Sequence, residues 1–130
     1  MFSIIGAGRG REQANRGQAQ MVQATGAEIV SLLQRLRQEL AKVYGSRLKD
    51  VVLFGSWARG EADWESDVDV AVVLDDFVLA GEELDRIAEV ITELSLAYDT
   101  LIAVVPIRLA EWQEASSPLV NNIKREATPV

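Results

Sequence analysis

VVLFGSWARGEADWESDVDVAVVL, residues 51–74, is the stretch whose reading decides the fold. Residues 51–54 form a short run of β-branched, aliphatic and aromatic residues closed by Gly55, which predicts a buried strand ending at a turn. Residues 68–74 are almost all β-branched or aliphatic and predict a second strand. Alternate residues of a strand share a face. Asp67 and Asp69 therefore point together, and Val68 and Val70 point the other way. Two adjacent carboxylates repel, and a divalent cation that prefers oxygen ligands, Mg²⁺ above all, relieves the repulsion. Gly55 and Ser56 stand where a glycine lets backbone N–H groups approach an anion. One end of a small sheet is thus expected to carry an anion cradle beside a metal site.

Outward from this stretch the chain alternates helical and extended patterns. Ile29, Leu33, Leu36, Leu40 and Val43 give residues 25–44 one apolar stripe, with Thr25 and Glu28 as a capping box and Gly45 as the stop. Residues 81–98 read as a second helix with Leu84, Ile87, Ala88, Ile91 and Leu94 on its buried face. Acidic Glu82, Glu83 and Asp85 suit its positive end. Residues 101–107 predict a third strand whose Pro106 places it at a sheet edge or strand end. Residues 110–114 and 119–126 predict two short helices. The layout is an α+β domain, a small mixed sheet with helices packed on one face.

With 130 residues, the chain has room for one domain. Residues 1–22, rich in glycine, arginine and glutamine, are expected to form a mobile tail, and residues 23–130 the domain proper. Gly6, Gly8 and Gly10 lack the preceding strand that a dinucleotide loop requires. There is no cysteine and no histidine, which excludes disulfides, thiolate zinc sites and imidazole chemistry. A net charge of −7 argues against broad nucleic-acid binding, which depends on cationic contacts with phosphates. No apolar run reaches membrane-spanning length, and residues 1–5 are too short for a signal-peptide core, so a cytoplasmic location is expected.

Three elements fall in order within the central stretch: Gly55-Ser56, Arg59-Gly60 and Ser66-Asp67-Val68-Asp69. Together they resemble the signature of minimal nucleotidyltransferases, members of the DNA polymerase β-like superfamily. The likeness covers about a hundred residues, from the helix before Val51 to the C-terminus, and implies the palm-like fold of that superfamily. It implies that Asp67 and Asp69 are catalytic and ligate two Mg²⁺ ions, and that Gly55, Ser56 and Arg59 hold the phosphates of a nucleoside triphosphate, ATP above all. A nucleoside monophosphate would then pass to an acceptor hydroxyl. Minimal members pair with small helical proteins of the HEPN type, as antitoxins that in some cases adenylylate a tyrosine of the toxin. An acceptor supplied by such a partner is therefore expected. The alternative is a catalytically silent module that binds nucleotide or partner and neutralises a toxin by contact. A nuclease built on the same aspartates is disfavoured by the acidic charge.

The family's third carboxylate should lie on the third strand, where this chain has Leu101 or Ala103. Asp99 is the nearest acid, and a shift of two residues would keep it on the required face. The other expectation is that Asp99 ends the preceding helix. Trp112 is expected in the core. Trp57 and Trp64 flank the motif, within reach of a nucleobase.

Overall fold

The computed structural model describes residues 26–63 and 65–130. The expected tail, the Thr25 cap, the glycines of residues 6–10 and Trp64 lie outside these residues. Four strands form one sheet: β1 (Leu48–Phe54), β2 (Val68–Leu74), β3 (Ile102–Arg108) and the two-residue β4 (Thr128–Pro129), in the order β3-β2-β1-β4. β1 pairs antiparallel with β2 and with β4, whereas β2 and β3 run parallel. The sheet is therefore mixed. The parallel pair requires a crossover, supplied by α3 (Ala80–Ala97). Pro106 lies on an edge strand, where its missing N–H breaks no second ladder.

Two apolar layers explain why β2 reads as an almost unbroken hydrophobic run. On one face, Val51, Leu53, Val68, Val70, Val72, Leu74 and Ile102 pack against α1 (Gly26–Tyr44) and α3. On the other, Val52, Ala71 and Ile107 meet Val120 and Ile123 of α5 (Pro118–Glu126), with Trp112 of α4 (Leu109–Glu114) beside them. The two long helices share one face, as expected for this α+β class. The short C-terminal helices add cover to the opposite face, so residues on both sides of β2 are buried. Trp112 takes its expected core position.

Both helical stripes are rotated slightly from the sequence expectation. Tyr44 is buried and Val43 is 39% exposed, while Glu83 is 4% exposed and Leu84 38%. Ala88 is also exposed. Glu83 tolerates burial because Arg47 and Arg86 lie 3.7 and 3.4 Å from its carboxylate oxygens. The consequence is testable. Leu36 is fully buried in the α1 layer, and Leu36→Ala should cost about 3 kcal/mol and lower the melting temperature by roughly 10–20 °C. Val43→Ala should change stability by less than about 0.5 kcal/mol. Thermal melts followed by circular dichroism separate the two. No helix among the described residues is long and apolar enough to cross a membrane.

Candidate active site

β1 ends at Phe54, which stands directly across from Asp69 in the β1–β2 ladder. The chain then turns into α2 (Gly55–Arg59), a single short helix closed by Gly60. Gly55 has φ +76°, a left-handed conformation that disfavours any side chain. It is also crowded. A Cβ built on Gly55 would overlap Asp69 Oδ2 and stand 3.0 Å from Asp69 Cγ. The glycine turn and the aspartate strand are thus in van der Waals contact, and Ser56 follows at the start of the same helix. Gly60 has φ +76° in open space and serves to end the helix.

Asp67 and Asp69 are each half-buried, whereas Val68 and Val70 between and beyond them are fully buried. This is the two-residue alternation expected of the strand. The approach to the pair is pinned by a tight turn. The Asp63 backbone N–H donates to Ser66 Oγ at 2.9 Å, and the Glu65 N–H donates to Asp63 Oδ1 at 2.9 Å. The serine of the Ser66-Asp67-Val68-Asp69 run therefore shapes the loop that delivers the acids.

Electrostatics at the pair favour neutralisation. Burial pushes the Asp69 carboxyl above the usual carboxylate range, the neighbouring Asp67 and Glu126 charges push it further, and Arg59 opposes them. A carboxylate whose ionised form is disfavoured by like charge gains from a cation. No group of three or more His, Cys, Asp or Glu side chains placed to hold a metal occurs among the described residues. Two carboxylates are nonetheless a suitable protein contribution for Mg²⁺, which commonly takes one or two of them together with substrate phosphates and water.

Arg59, at the end of α2, donates through Nε to Glu61 Oε1 at 2.9 Å and through Nη1 to Glu126 Oε2 at 2.9 Å. The other Glu126 oxygen accepts the Gly55 N–H at 3.0 Å. That bond, aided by Arg59, holds the Glu126 carboxyl below its usual range. Sequence reading missed Glu126, which lies 57 residues beyond Asp69 and belongs to no motif. One local signal was present. An acid in the last turn of α5, beside Lys124 and Arg125, opposes the helix dipole and calls for a compensating partner.

Asp99 does not enter the third strand. Asp69 pairs with Ala103 and Val68 with Ile102, without a shift in register. Asp99 lies instead in the turn after α3, with φ +51°. The charges that act on Asp69 are Asp67, Glu126 and Arg59. Trp57 packs against the α1–α3 layer with its Nε1 buried, so it serves the core rather than a nucleobase.

A family model described as a nucleotidyltransferase domain matches residues 33–129. Over 78 residues the chain is 33% identical to a Methanocaldococcus jannaschii protein assigned by name as a protein adenylyltransferase, covering 60% of this chain and 78% of that one. A solved minimal nucleotidyltransferase superposes with TM-score 0.55 at 23% identity, covering 81% of this chain and 95% of that one. A toxin–antitoxin complex solved with AMP-PNP gives TM-score 0.50 at 22% identity, covering 74% and 70%. Both structures share the fold.

Proposed function

The chain belongs to the nucleotidyltransferase domain family, and from that premise we propose that Asp67 and Asp69 hold Mg²⁺ for transfer of AMP from ATP to a hydroxyl of a partner protein. The observation that carries the reading is the contact between the Gly55 turn and the Asp69 carboxylate. It supports the reading because a bend that binds phosphate and an acid pair that binds the metal must lie side by side to share a metal-bound triphosphate. When bound, Mg²⁺ would neutralise phosphate charge and stabilise the leaving pyrophosphate.

The chain's own groups do the positioning. Asp67, just before β2, and Asp69, within it, present their carboxylates together in this reading. The Gly55 N–H, the Ser56 hydroxyl and the Arg59 guanidinium donate to phosphate oxygens, Arg59 through a planar set of donors suited to oxyanions. Most of the catalytic gain in phosphoryl-group chemistry comes from such positioning and charge stabilisation. The acceptor oxygen forms a bond to the α-phosphorus, the bond to the β-phosphate bridging oxygen breaks, and pyrophosphate departs. β3 places Ala103, not a carboxylate, beside Asp69. The acceptor proton therefore passes to solvent or to a group on the partner. We place the acceptor on a small helical partner of the HEPN type, a pairing supported by the shared fold with a toxin–antitoxin complex. Residues 23–130 constitute the catalytic domain in this proposal.

The direct test incubates the protein, a HEPN-type partner, Mg²⁺ and ATP labelled at the α-phosphate. Label should appear on the partner and vanish with Asp67→Asn plus Asp69→Asn. Partner binding without label, unchanged in that variant, would favour neutralisation by contact. Asp99→Asn should leave the rate within about twofold of wild type, since β3 pairs Ala103 rather than Asp99 with Asp69; steady-state label incorporation measures this.

A further inference from the structure

The C-terminal arm brings one anion onto the groups assigned above to phosphate. Glu126 is the last residue of α5, and Ala127 leads at once into β4. Its carboxylate is divided between two donors, the Gly55 N–H and Arg59 Nη1, at 3.0 and 2.9 Å. A backbone N–H at a glycine bend and a guanidinium are the donors that a phosphate oxygen takes. Each oxygen of the carboxylate occupies one of them.

We propose that Glu126 is a built-in phosphate surrogate, and that nucleotide enters by exchanging phosphate oxygens for this carboxylate on Gly55 and Arg59. The proposal rests on the nucleotide reading above and adds an affinity-setting residue to it. Three features support exchange rather than permanent occupation. Arg59 keeps a second tie, through Nε to Glu61, and so remains oriented when Glu126 leaves. Exchange needs only the Glu126 side chain to turn away, because Val120 and Ile123 keep α5 in the core and the Val130 N–H to Val51 carbonyl bond at 3.2 Å and the Arg37 to Val130 carbonyl bond at 3.4 Å hold the chain beyond it. Finally, a departing Glu126 withdraws a negative charge that acts on Asp69 as an anionic ligand arrives. An intramolecular competitor lowers apparent affinity in proportion to the fraction of time it fills the site.

The test is titration of the full chain with Mg²⁺–AMP-PNP by calorimetry. Glu126→Gln, which removes the charge, should tighten binding by about fivefold or more. Glu126→Asp, which keeps the charge but withdraws it by one methylene, should tighten binding in the same direction. Unchanged or weaker binding in both variants would overturn the proposal and make Glu126 a support for Arg59 instead. Should the variants fold poorly, the wild type still decides. Saturating Mg²⁺–AMP-PNP should shift the Gly55 amide resonance and move the Glu126 carboxyl carbon to its solvent-exposed value. A Glu126 signal unmoved at saturation would overturn the exchange while leaving nucleotide binding intact. Failure of wild type and both variants to bind Mg²⁺–AMP-PNP at all would instead remove the nucleotide reading, and the exchange with it.

Discussion

Asparagine at both Asp67 and Asp69 is expected to reduce nucleotidyl transfer by on the order of 10³-fold or more, while leaving a folded protein more stable than wild type at neutral pH. The two halves of this result have one cause. Asp69 is half-buried, and burial, Asp67 and Glu126 all raise its pKa. A carboxyl with a folded pKa above its unfolded value binds its proton more tightly in the native state. Stability is therefore lost as pH rises from the unfolded value of about 3.9 through the raised folded one. At pH 7 the full penalty is present, and the amide removes it. The melting temperature of the double variant should exceed that of the metal-free wild type by a few degrees at pH 7, and the gap should close near pH 3. Added Mg²⁺ should raise the wild-type melting temperature and leave the variant unmoved, because only the wild type offers a site. A variant less stable than wild type at pH 7 would mean that the carboxylates are satisfied without a cation.

Gly55→Ala carries the second large effect, and it strikes fold and site together. At φ +76° an alanine costs about 1–2 kcal/mol in backbone strain. Its Cβ would also displace the Asp69 carboxylate, whose Cγ and Cβ lie at 3.0 and 3.1 Å from that position. Movement of a ligating group by about 1 Å can lower the rate about 10²-fold. Gly45→Ala is the matched control. Gly45 also has positive φ, at +56°, but nothing lies within 4 Å of its would-be Cβ, and it stands at the other end of β1. It should lose similar stability and keep its transfer rate. Equal loss of activity in both variants would show that strain alone, and not contact with Asp69, explains the glycine.

The centre of the molecule was legible because each of its signals is local. The alternation of Asp67, Val68, Asp69 and Val70 needs only the geometry of a strand, and residues 68–74 form β2 with the predicted limits. Pro106 announced an edge strand through its missing donor. The helix stripes were placed but slightly mis-rotated. Tyr44 was not counted in the apolar stripe, Glu83 was read only as an acid at the helix's positive end, and only the arginines around Glu83 make its burial tolerable. β4 was missed because two residues carry no periodicity, and β1 starts at Leu48 because Leu48 and polar Asp50 still pair with β2 across an irregularity at Lys49. Glu126 was hidden for a related reason. It reaches the site only because α5 folds across the sheet and β4 ties its end to β1, and no local pattern encodes a contact between residues that far apart.

The central claim is that the Gly55–Ser56 bend and the Asp67–Asp69 pair form one metal-nucleotide rim. Paramagnetic relaxation by Mn²⁺ in the presence of AMP-PNP tests it most directly, read on the backbone amides of the full chain. The account predicts broadening concentrated at Gly55, Ser56 and residues 67–69, absent when both aspartates are asparagine. Broadening centred elsewhere, or unchanged in that variant, would contradict it.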